Sequence, residues 1–177
     1  LKTILIKDKG RWIMTAHHAN DQAETILMNL SRKSGVRGLR GISKENDKVL
    51  RPFLDFTKTD ILNFSKEIGL LFREDKTNHD NTIPRNFLRN KILEIWENEF
   101  PEVIHGISRS SNLFCEWSEG LDYMISKFIV SGLKVRDKKF VISYNVIKPI
   151  PNIVKIRLIQ LITDSTNSQW SKHHMSM

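Results

Sequence analysis

Residues 15–25 (TAHHANDQAET) hold the densest group of side chains that could do chemistry. His17 and His18 precede two carboxylates, Asp21 and Glu24, where a predicted strand gives way to a helix. In open α/β sheets ligands bind at this junction, because free N–H groups at the helix start face the crevice. Two carboxylates there suit Mg²⁺ beside a phosphate, since Mg²⁺ prefers oxygen ligands. A plainer interpretation is a helix cap, with Asp21 as N-cap and Glu24 at N3 reaching back.

A loop rich in glycine and arginine follows at residues 31–43. Glycine lets the backbone approach a ligand closely, and arginine can grip phosphates. The alternative is a flexible solvated loop, which is the commoner role of such a segment. Its basic residues, with Lys44 directly after it, are Arg32, Lys33, Arg37 and Arg40, interleaved with Gly35, Gly38 and Gly41.

A polar loop at residues 75–89 enters a helix that carries Arg85 and Arg89. Because these arginines are four residues apart, their guanidinium groups share one helix face. Such a pair suits a phosphate or a negative charge that develops during a reaction. Ordinary arginines on a solvated helix are the alternative.

Strands and helices must place these side chains. Residues 3–7 predict a short strand, and residues 11–16 (RWIMTA) predict a second, whose nearly continuous apolar character is typical of strands buried on both faces. A helix then runs from Asp21 and ends by Gly35. Its apolar face is expected to consist of Ala23, Ile26, Leu27 and Leu30.

Three further elements follow in the same half of the chain. Residues 49–54 (VLRPFL) predict a short strand or extended segment. Thr57 is expected to cap the next helix, with Asp60 three positions on and Gly69 as its stop. Another helix covers residues 84–99. The expected apolar faces are Ile61, Phe64 and Ile68 on the first of these helices and a buried stripe of Leu88, Ile92, Ile95 and Trp96 on the second.

Composition changes near Pro101, where we place a domain boundary. Residues 1–100 have the pattern of an α/β domain, and residues 101–177 are mainly helical. The elements predicted in this second part are a helix over residues 102–127, a hairpin over residues 134–144 and a helix over residues 152–162.

Composition and charge exclude several classes of protein. The 28 Lys and Arg against 20 Asp and Glu give a net charge of +8, which favours polyanionic partners, nucleic acid first and anionic membrane second. No apolar run approaches the roughly 18 residues that cross a bilayer, and no signal-peptide pattern is present. The single cysteine, Cys115, excludes a disulfide framework and a Cys-based zinc cluster within this chain. We therefore predict a cytoplasmic protein without a membrane partner.

Four strings along the first half of the chain, in this order, carry a specific resemblance. They are TAHHANDQAETILMNL, SGVRGLRGI, RPFLDFTKTDI and REDKTNHDNTIPRNFLRNKIL, spread over roughly residues 12–93. The chain resembles the tRNA(Ile)-lysidine synthases, a family of PP-loop ATP pyrophosphatases. The resemblance implies a partial Rossmann-like, adenine nucleotide alpha hydrolase-like domain over residues 1–100, followed by a truncated helical tRNA-binding extension over residues 101–177.

The resemblance also implies a reaction and its residues. Such ligases use ATP to adenylate the wobble cytidine of an isoleucine tRNA, and the amine of free L-lysine then displaces AMP to leave lysidine. By motif position, His17, Asp21 and Glu24 are expected to bind the nucleotide and Mg²⁺, with Asp21 and Glu24 as the metal ligands. Asn78 and Arg89 match the family's later polar pair near the reacting groups, and Arg89 is expected to contact ATP.

Contact with tRNA is expected from Arg37 and Arg40 on the basic loop and from Arg85. Two departures from the family pattern are present. The family's phosphate-binding SGGxDS loop is not matched in these 177 residues, so we expect this polypeptide alone to be inactive. The family usually has glycine where Lys33 stands.

Three other functions remain open on sequence grounds. A tRNA-thiolating enzyme of the same fold would typically carry paired cysteines, and the chain has Cys115 alone. A non-catalytic tRNA-binding module would keep the same motifs as relics. A metal hydrolase would use His17, His18 and Asp21 as ligands.

Overall fold

The computed structural model describes residues 12–73, 76–136 and 139–165. Its Cα positions group into two compact units, Leu1–Glu116 and Trp117–Met177. Every residue that the sequence singles out for chemistry belongs to the first unit. The predicted strand at residues 3–7 lies outside the described residues.

The first unit contains a small mixed sheet. Strand β1 (Ile13–Met14) pairs in parallel with β3 (Val49–Leu50), and β2 (Glu45–Asn46) pairs antiparallel with β3 on its other side. Ile13 is in register with Val49. Parallel pairing between β1 and β3 requires a crossover through the helix between them, which is the connection typical of α/β folds.

The strand predicted at residues 11–16 is shorter than expected, and its burial was predicted wrongly. Of the apolar residues in it, Trp12 is 44% exposed and Met14 is 71% exposed. A short apolar run predicts a strand but does not by itself determine which faces other elements cover.

The helices of the first unit build its core. A buried cluster of Ala19, Ala23, Leu93 and Ile104 joins three of them. In chain order the helical elements are α1 (Ala19–Ser31), α2 (Val36–Leu39), α3 (Lys58–Glu67), a 3₁₀ turn (Lys76–His79), α4 (Pro84–Phe87), a π-helical segment (Leu88–Leu93), α5 (Glu94–Glu99) and α6 (Val103–Gly132).

Helix α1 begins two residues earlier than the sequence suggests. Its N-cap is His18 in extended conformation, and Asp21 occupies N3, where its carboxylate accepts from the His18 N–H at 3.0 Å. The expectation that Asp21 is the N-cap is therefore wrong. Because the helix starts one half-turn sooner, Glu24 lies in the second turn and cannot reach the cap. The predicted face is buried at Ala23 and Ile26, whereas Leu30 in the last turn is 51% exposed.

Lys33 follows the end of α1 with a φ of +56°. This left-handed conformation costs a side-chain-bearing residue about 1–2 kcal/mol, whereas glycine's extra backbone entropy costs about 0.5–1 kcal/mol. We therefore expect Lys33→Gly to raise the unfolding free energy by about 0.5–1 kcal/mol in urea titrations. The matched control is Arg32→Gly, since Arg32 has φ −93°, and it should lower stability. A loss of stability in Lys33→Gly would contradict this account.

The start and stop of α3 are confirmed. The Thr57 hydroxyl accepts from the Asp60 N–H at 3.0 Å, and the Asp60 carboxylate accepts from the Thr57 N–H at 2.8 Å. Gly69, with φ +66°, follows the last turn. The expected apolar face is present but not covered within the described residues, since Phe64 is 60% and Ile68 is 56% exposed.

The reciprocal cap of α3 predicts a pH-dependent contribution to stability. Hydrogen bonds from the side chain and then the backbone of Thr57 hold the pKa of Asp60 below its ordinary 3.8. A lowered carboxyl pKa stabilises the fold above that ordinary value, and the contribution disappears as pH falls through the folded pKa. Thr57→Ala should cost about 1 kcal/mol at pH 7, and the difference from wild type should shrink between pH 5 and pH 3. The exposed neighbour Thr59 provides the control, and a Thr59→Ala penalty of the same size would argue against the cap.

The helix predicted over residues 84–99 is present, but its buried stripe was predicted wrongly. Ile92, Ile95 and Trp96 are 40%, 60% and 39% exposed, whereas Leu93 is 2% exposed in the core. The reason is the π-helical segment, in which the Glu94 N–H donates to the carbonyl of Arg89, five residues earlier. The prediction assumed 3.6 residues per turn throughout, and one wide turn shifts the buried face by about one residue.

The second unit holds the later part of α6, a hairpin, and helices α7 (Tyr144–Ile147) and α8 (Asn152–Ser165). The predicted hairpin is confirmed as β4 (Leu133–Arg136) against β5 (Lys139–Ile142). The helices predicted over residues 102–127 and 152–162 are confirmed as well. Within this unit, the Arg157 guanidinium donates through Nε and Nη2 to the two carboxylate oxygens of Asp122.

A boundary near Pro101 stays a prediction, although Ile104, beyond it, is fully buried in the core of the first unit. Among the residues that the structure describes, no helix combines the length and apolar composition that crossing a bilayer requires. The role of residues 117–165 as a tRNA-binding extension likewise stays a prediction.

Candidate active site

Two carboxylates of α1 meet two arginines that lie more than 60 positions away in the chain. Arg85 donates through Nε to Glu24 at 2.5 Å and through Nη2 to Asp21 at 2.9 Å. Arg89 donates to Glu24 through Nε at 2.6 Å and Nη2 at 3.1 Å. Two stretches that the sequence marked independently, residues 15–25 and residues 75–89, therefore form one cluster. The expectation that Arg85 and Arg89 share a helix face is confirmed.

Burial makes this four-residue cluster electrostatically strong. Glu24 is completely buried, and the side chains of Arg89 and Arg85 are 26% and 38% exposed. Burial alone would lower the pKa of Arg89, but hydrogen bonds and charge attraction from Glu24 outweigh it, so the pKa is raised. Arg89 therefore keeps its charge in the folded protein. The two negative and two positive charges cancel, which a buried site requires.

The predicted Mg²⁺ site does not fit this arrangement. Both oxygens of Glu24 accept from arginine, and the oxygens of Asp21 accept from Arg85 and from the His18 N–H. Magnesium needs oxygen ligands at close range, and here N–H donors occupy those oxygens. The carboxylates as placed hold guanidinium groups.

His17 and His18 lie at the N-terminus of α1. Nδ1 of His17 is 2.8 Å from the Thr15 hydroxyl, a contact that fixes the ring. Burial lowers the pKa of His18 despite the attraction of Asp21 and Glu24, so this ring is neutral at physiological pH. Among the described residues, no three His, Cys, Asp or Glu side chains converge as metal ligands. His17, His18 and Asp21 therefore do not form the site that a metal hydrolase needs.

Asn78 belongs to the 3₁₀ turn that precedes α4. Its backbone carbonyl accepts from the Asn90 side chain at 3.0 Å. Asn86 donates to the carbonyls of Thr77 and Asp80 at 2.9 and 3.0 Å. These two amides attach the turn to the helix that carries the arginines.

A cleft of about 620 Å³ opens beside the cluster. This volume lies in the usual range for small-molecule sites. The cleft mixes basic and acidic side chains with amides, which suits a polar, charged ligand. Glu24 and Arg89 line it together with Asn20, Lys58, His79 and Asn81.

The basic loop is attached to α1 at two points. Buried Gln22 bonds to the backbone of Arg40 and Ile42, and Asn29 donates to the carbonyl of Gly38 at 2.8 Å. The structure therefore places Arg40 in an anchored loop rather than a freely flexible one. Arg37 is exposed on the short helix α2.

Sequence reasoning missed Gln22, Asn86 and Asn90, which hold the backbone around the cluster. A signal for two of them was present. The dipeptide Arg-Asn recurs at residues 85–86 and 89–90, and a spacing of four places the asparagines on one face and the arginines on a neighbouring one. Gln22 gave no such signal, because its partners lie in a loop and in α6.

The family of this chain follows from comparison with known proteins. The model of the PP-loop domain family matches residues 1–95, more than half of the chain. This chain belongs to the PP-loop domain family. The α/β fold class, a Rossmann-like nucleotide-binding fold of the adenine nucleotide alpha hydrolase type, is thereby confirmed, and the candidate site lies inside the matched residues.

Curated relatives of this PP-loop protein carry a consistent name. A protein of Chlorobaculum tepidum named tRNA(Ile)-lysidine synthase is 36% identical over 118 residues, covering 66% of this chain and 36% of the relative. Proteins of the same name from Haemophilus ducreyi and Actinobacillus succinogenes are 42% and 33% identical over 103 and 135 residues, covering 56% and 74% of this chain. The chain spans between 24% and 36% of the length of these three relatives.

Proposed function

We propose that this chain supplies part of the active site of a tRNA(Ile)-lysidine synthase, a cytoplasmic ligase. In that reaction ATP adenylates the carbon-2 oxygen of the wobble cytidine of isoleucine tRNA and releases diphosphate. The amine of L-lysine then attacks carbon 2, and AMP leaves. The observation that carries the proposal is the contact of Asp21 and Glu24 with Arg85 and Arg89, because it joins two family motifs into one buried cluster beside a cleft. The family and the relatives' names support it.

Each side chain of the cluster has a proposed role. Arg89 lines the cleft, and a guanidinium carries five N–H donors, of which Nε and Nη2 serve the carboxylate. Its remaining donors suit the charge that develops on the α-phosphate during adenylation. Glu24 fixes the direction of both arginines. Arg85 supports the same cluster, and its proposed tRNA contact would use its exposed portion.

His17 and Asn78 keep their proposed places at the nucleotide and near the reacting groups. The Thr15 hydroxyl orients the ring of His17, and Asn90 holds the backbone of Asn78. ATP is the proposed cosubstrate. Asp21 and Glu24 hold the arginines and do not fit a shared Mg²⁺.

A hybrid enzyme tests the proposal. Residues 12–95 of this chain replace the matching segment of the Haemophilus ducreyi relative, and incorporation of labelled lysine into isoleucine tRNA is measured with and without ATP. We expect ATP-dependent incorporation that requires a wobble cytidine, with the same tRNA carrying uridine there as control. A folded hybrid that binds tRNA and incorporates no lysine would overturn the proposal.

A non-catalytic tRNA-binding module is the second candidate, and one observation favours it. The carboxylates are already neutralised by arginines, as they would be in a site that no longer handles a cation. Under either function these 177 residues alone should show no release of AMP or diphosphate from ATP, since they contain no SGGxDS string. Turnover by the isolated polypeptide would refute that expectation, and the hybrid separates the two candidates.

A further inference from the structure

The side chain of Gln22 is nearly completely buried, at 2% exposure, yet its amide group has four polar partners. Its Oε1 accepts from the N–H of Ile42 at 2.6 Å, and its Nε2 donates to the hydroxyl of Ser111 at 2.7 Å. Nε2 also lies 3.3 and 3.2 Å from the carbonyls of Arg40 and Ile42. A buried amide with this many partners strongly specifies the backbone around it.

The carbonyl of Arg40 is the point at which several elements meet. Besides Gln22 from α1, the hydroxyl of Ser111 from α6 donates to it at 2.7 Å, and the thiol of Cys115 lies 3.9 Å away. Ser111 is 1% exposed. Because side chains of two helices donate to this carbonyl, both helices hold the backbone that carries the Arg40 side chain.

Gly41, next to Arg40, allows the Gln22 amide to lie close to the loop backbone. Gly41 has a φ of +62°, and a Cβ at that position would lie 2.5 Å from Oε1 of Gln22. A side chain there would displace the amide from Ile42. The close contact between Gln22 and residues 40–42 therefore depends on glycine at position 41.

The loop that Gln22 holds carries charge of one sign. Residues 31–44 contain five Lys and Arg residues and no Asp or Glu. Arg32, Lys33, Arg37 and Lys44 are exposed, although Lys44 also pairs with Asp55 at 2.7 Å. A surface of this kind binds phosphate backbones, and it binds them in one register only if its own backbone is fixed.

We propose that Gln22 is a positioning residue that sets the conformation of the basic loop and, through it, the contacts of Arg37 and Arg40 with tRNA. The tRNA part rests on the proposed function. The amide acts through the backbone of residues 40–42 and does not itself touch the nucleic acid. Gln22→Leu removes the hydrogen bonds of the side chain at similar volume. If that variant folds poorly, Ser111→Ala provides a milder change, because it removes the Ser111 bonds to Gln22 and to the Arg40 carbonyl.

Hydrogen exchange tests the loop without reference to tRNA. In Gln22→Leu the amide of Ile42 should exchange at least about tenfold faster relative to core amides of α1, because its acceptor is gone. Ser65→Ala provides the stability control, since Ser65 is a buried hydroxyl of α3 that bonds within its own helix. Equal protection of Ile42 in wild type and Gln22→Leu overturns the proposal.

A double-mutant cycle tests the link to tRNA. Gln22→Leu should weaken binding to isoleucine tRNA about tenfold. The slope of log K against log salt should become less steep by the amount that corresponds to the loss of about one to two phosphate contacts. In an Arg37→Gln/Arg40→Gln background the same change should have little further effect, because the contacts it positions are already absent.

Each result has a definite meaning. Additive losses, or an unchanged salt slope in Gln22→Leu and Ser111→Ala, overturn the positioning role. Failure of the wild-type chain to bind isoleucine tRNA overturns the tRNA part of this proposal and leaves the proposed function to the hybrid enzyme, and the exchange of Ile42 then decides the role of Gln22 in the loop.

Discussion

Glu24→Gln should lower the unfolding free energy by about 3 kcal/mol, the largest stability effect that we expect from a single conservative change in this chain. Glu24 is fully buried and accepts three hydrogen bonds from Arg85 and Arg89. The glutamine amide keeps one acceptor oxygen but turns N–H donors towards guanidinium donors. Both arginines would then stay charged without a full counter-charge. Their partial exposure, at 38% and 26%, lets water solvate them in part, which places the cost at the lower end of the range for broken buried pairs.

Urea denaturation of wild type and variant measures this effect. Glu67→Gln is the matched control, because Glu67 is exposed in the last turn of α3, and its effect should stay within about 0.5 kcal/mol. Replacing all four residues of the cluster, Asp21 by Asn, Glu24 by Leu and both arginines by Met, should recover much of the loss, since no charge of the cluster is then left buried. A Glu24→Gln variant as stable as the Glu67 control would show that the cluster is not formed in solution.

Arg89→Lys should reduce the rate of lysine incorporation by the hybrid enzyme about 100-fold or more. Lysine keeps the positive charge but replaces a planar fork by a single ammonium, so it cannot hold Glu24 through Nε and Nη2 and still present further donors to the cleft. If Arg89 stabilises charge that develops during adenylation, the loss should fall on kcat, with little change in the KM for lysine.

An exposed lysine away from the cleft provides the control for Arg89. Lys66→Gln removes a charge from the last turn of α3, and its effect should stay within about threefold, as expected for one screened surface charge. A loss confined to the KM for tRNA in Arg89→Lys would assign this arginine to tRNA binding instead of the chemical step. Full activity in Arg89→Lys would remove it from both roles.

Local patterns predicted the elements that depend on neighbouring residues. Thr57, Asp60 and Gly69 mark the ends of α3 because capping involves atoms within four residues of one another. The shared face of Arg85 and Arg89 follows from their spacing alone. The order of the motifs was sufficient to predict the PP-loop fold, which the family match over residues 1–95 confirms.

Long-range partners could not be predicted in the same way. Glu24 and Asp21 were assigned to Mg²⁺ because two carboxylates at a helix N-terminus suit a cation beside a phosphate. The fold instead supplies Arg85 and Arg89 from more than 60 residues away. The start of α1 after His18 also involves a long-range contact, the bond from the Ala19 N–H to the Phe56 carbonyl at 2.8 Å. These assignments require the tertiary structure.

The π-helical segment at Leu88–Leu93 lets two parts of one helix face different targets. Arg85 and Arg89 contact α1, and Leu93 at the end of the wide turn packs into the core. Removing one residue between Arg89 and Leu93 would give a regular α-helix and would rotate one of these by about 100° away from its target. The number of residues in this stretch is therefore constrained as tightly as their identity, and insertions or deletions here should be less tolerated than most substitutions.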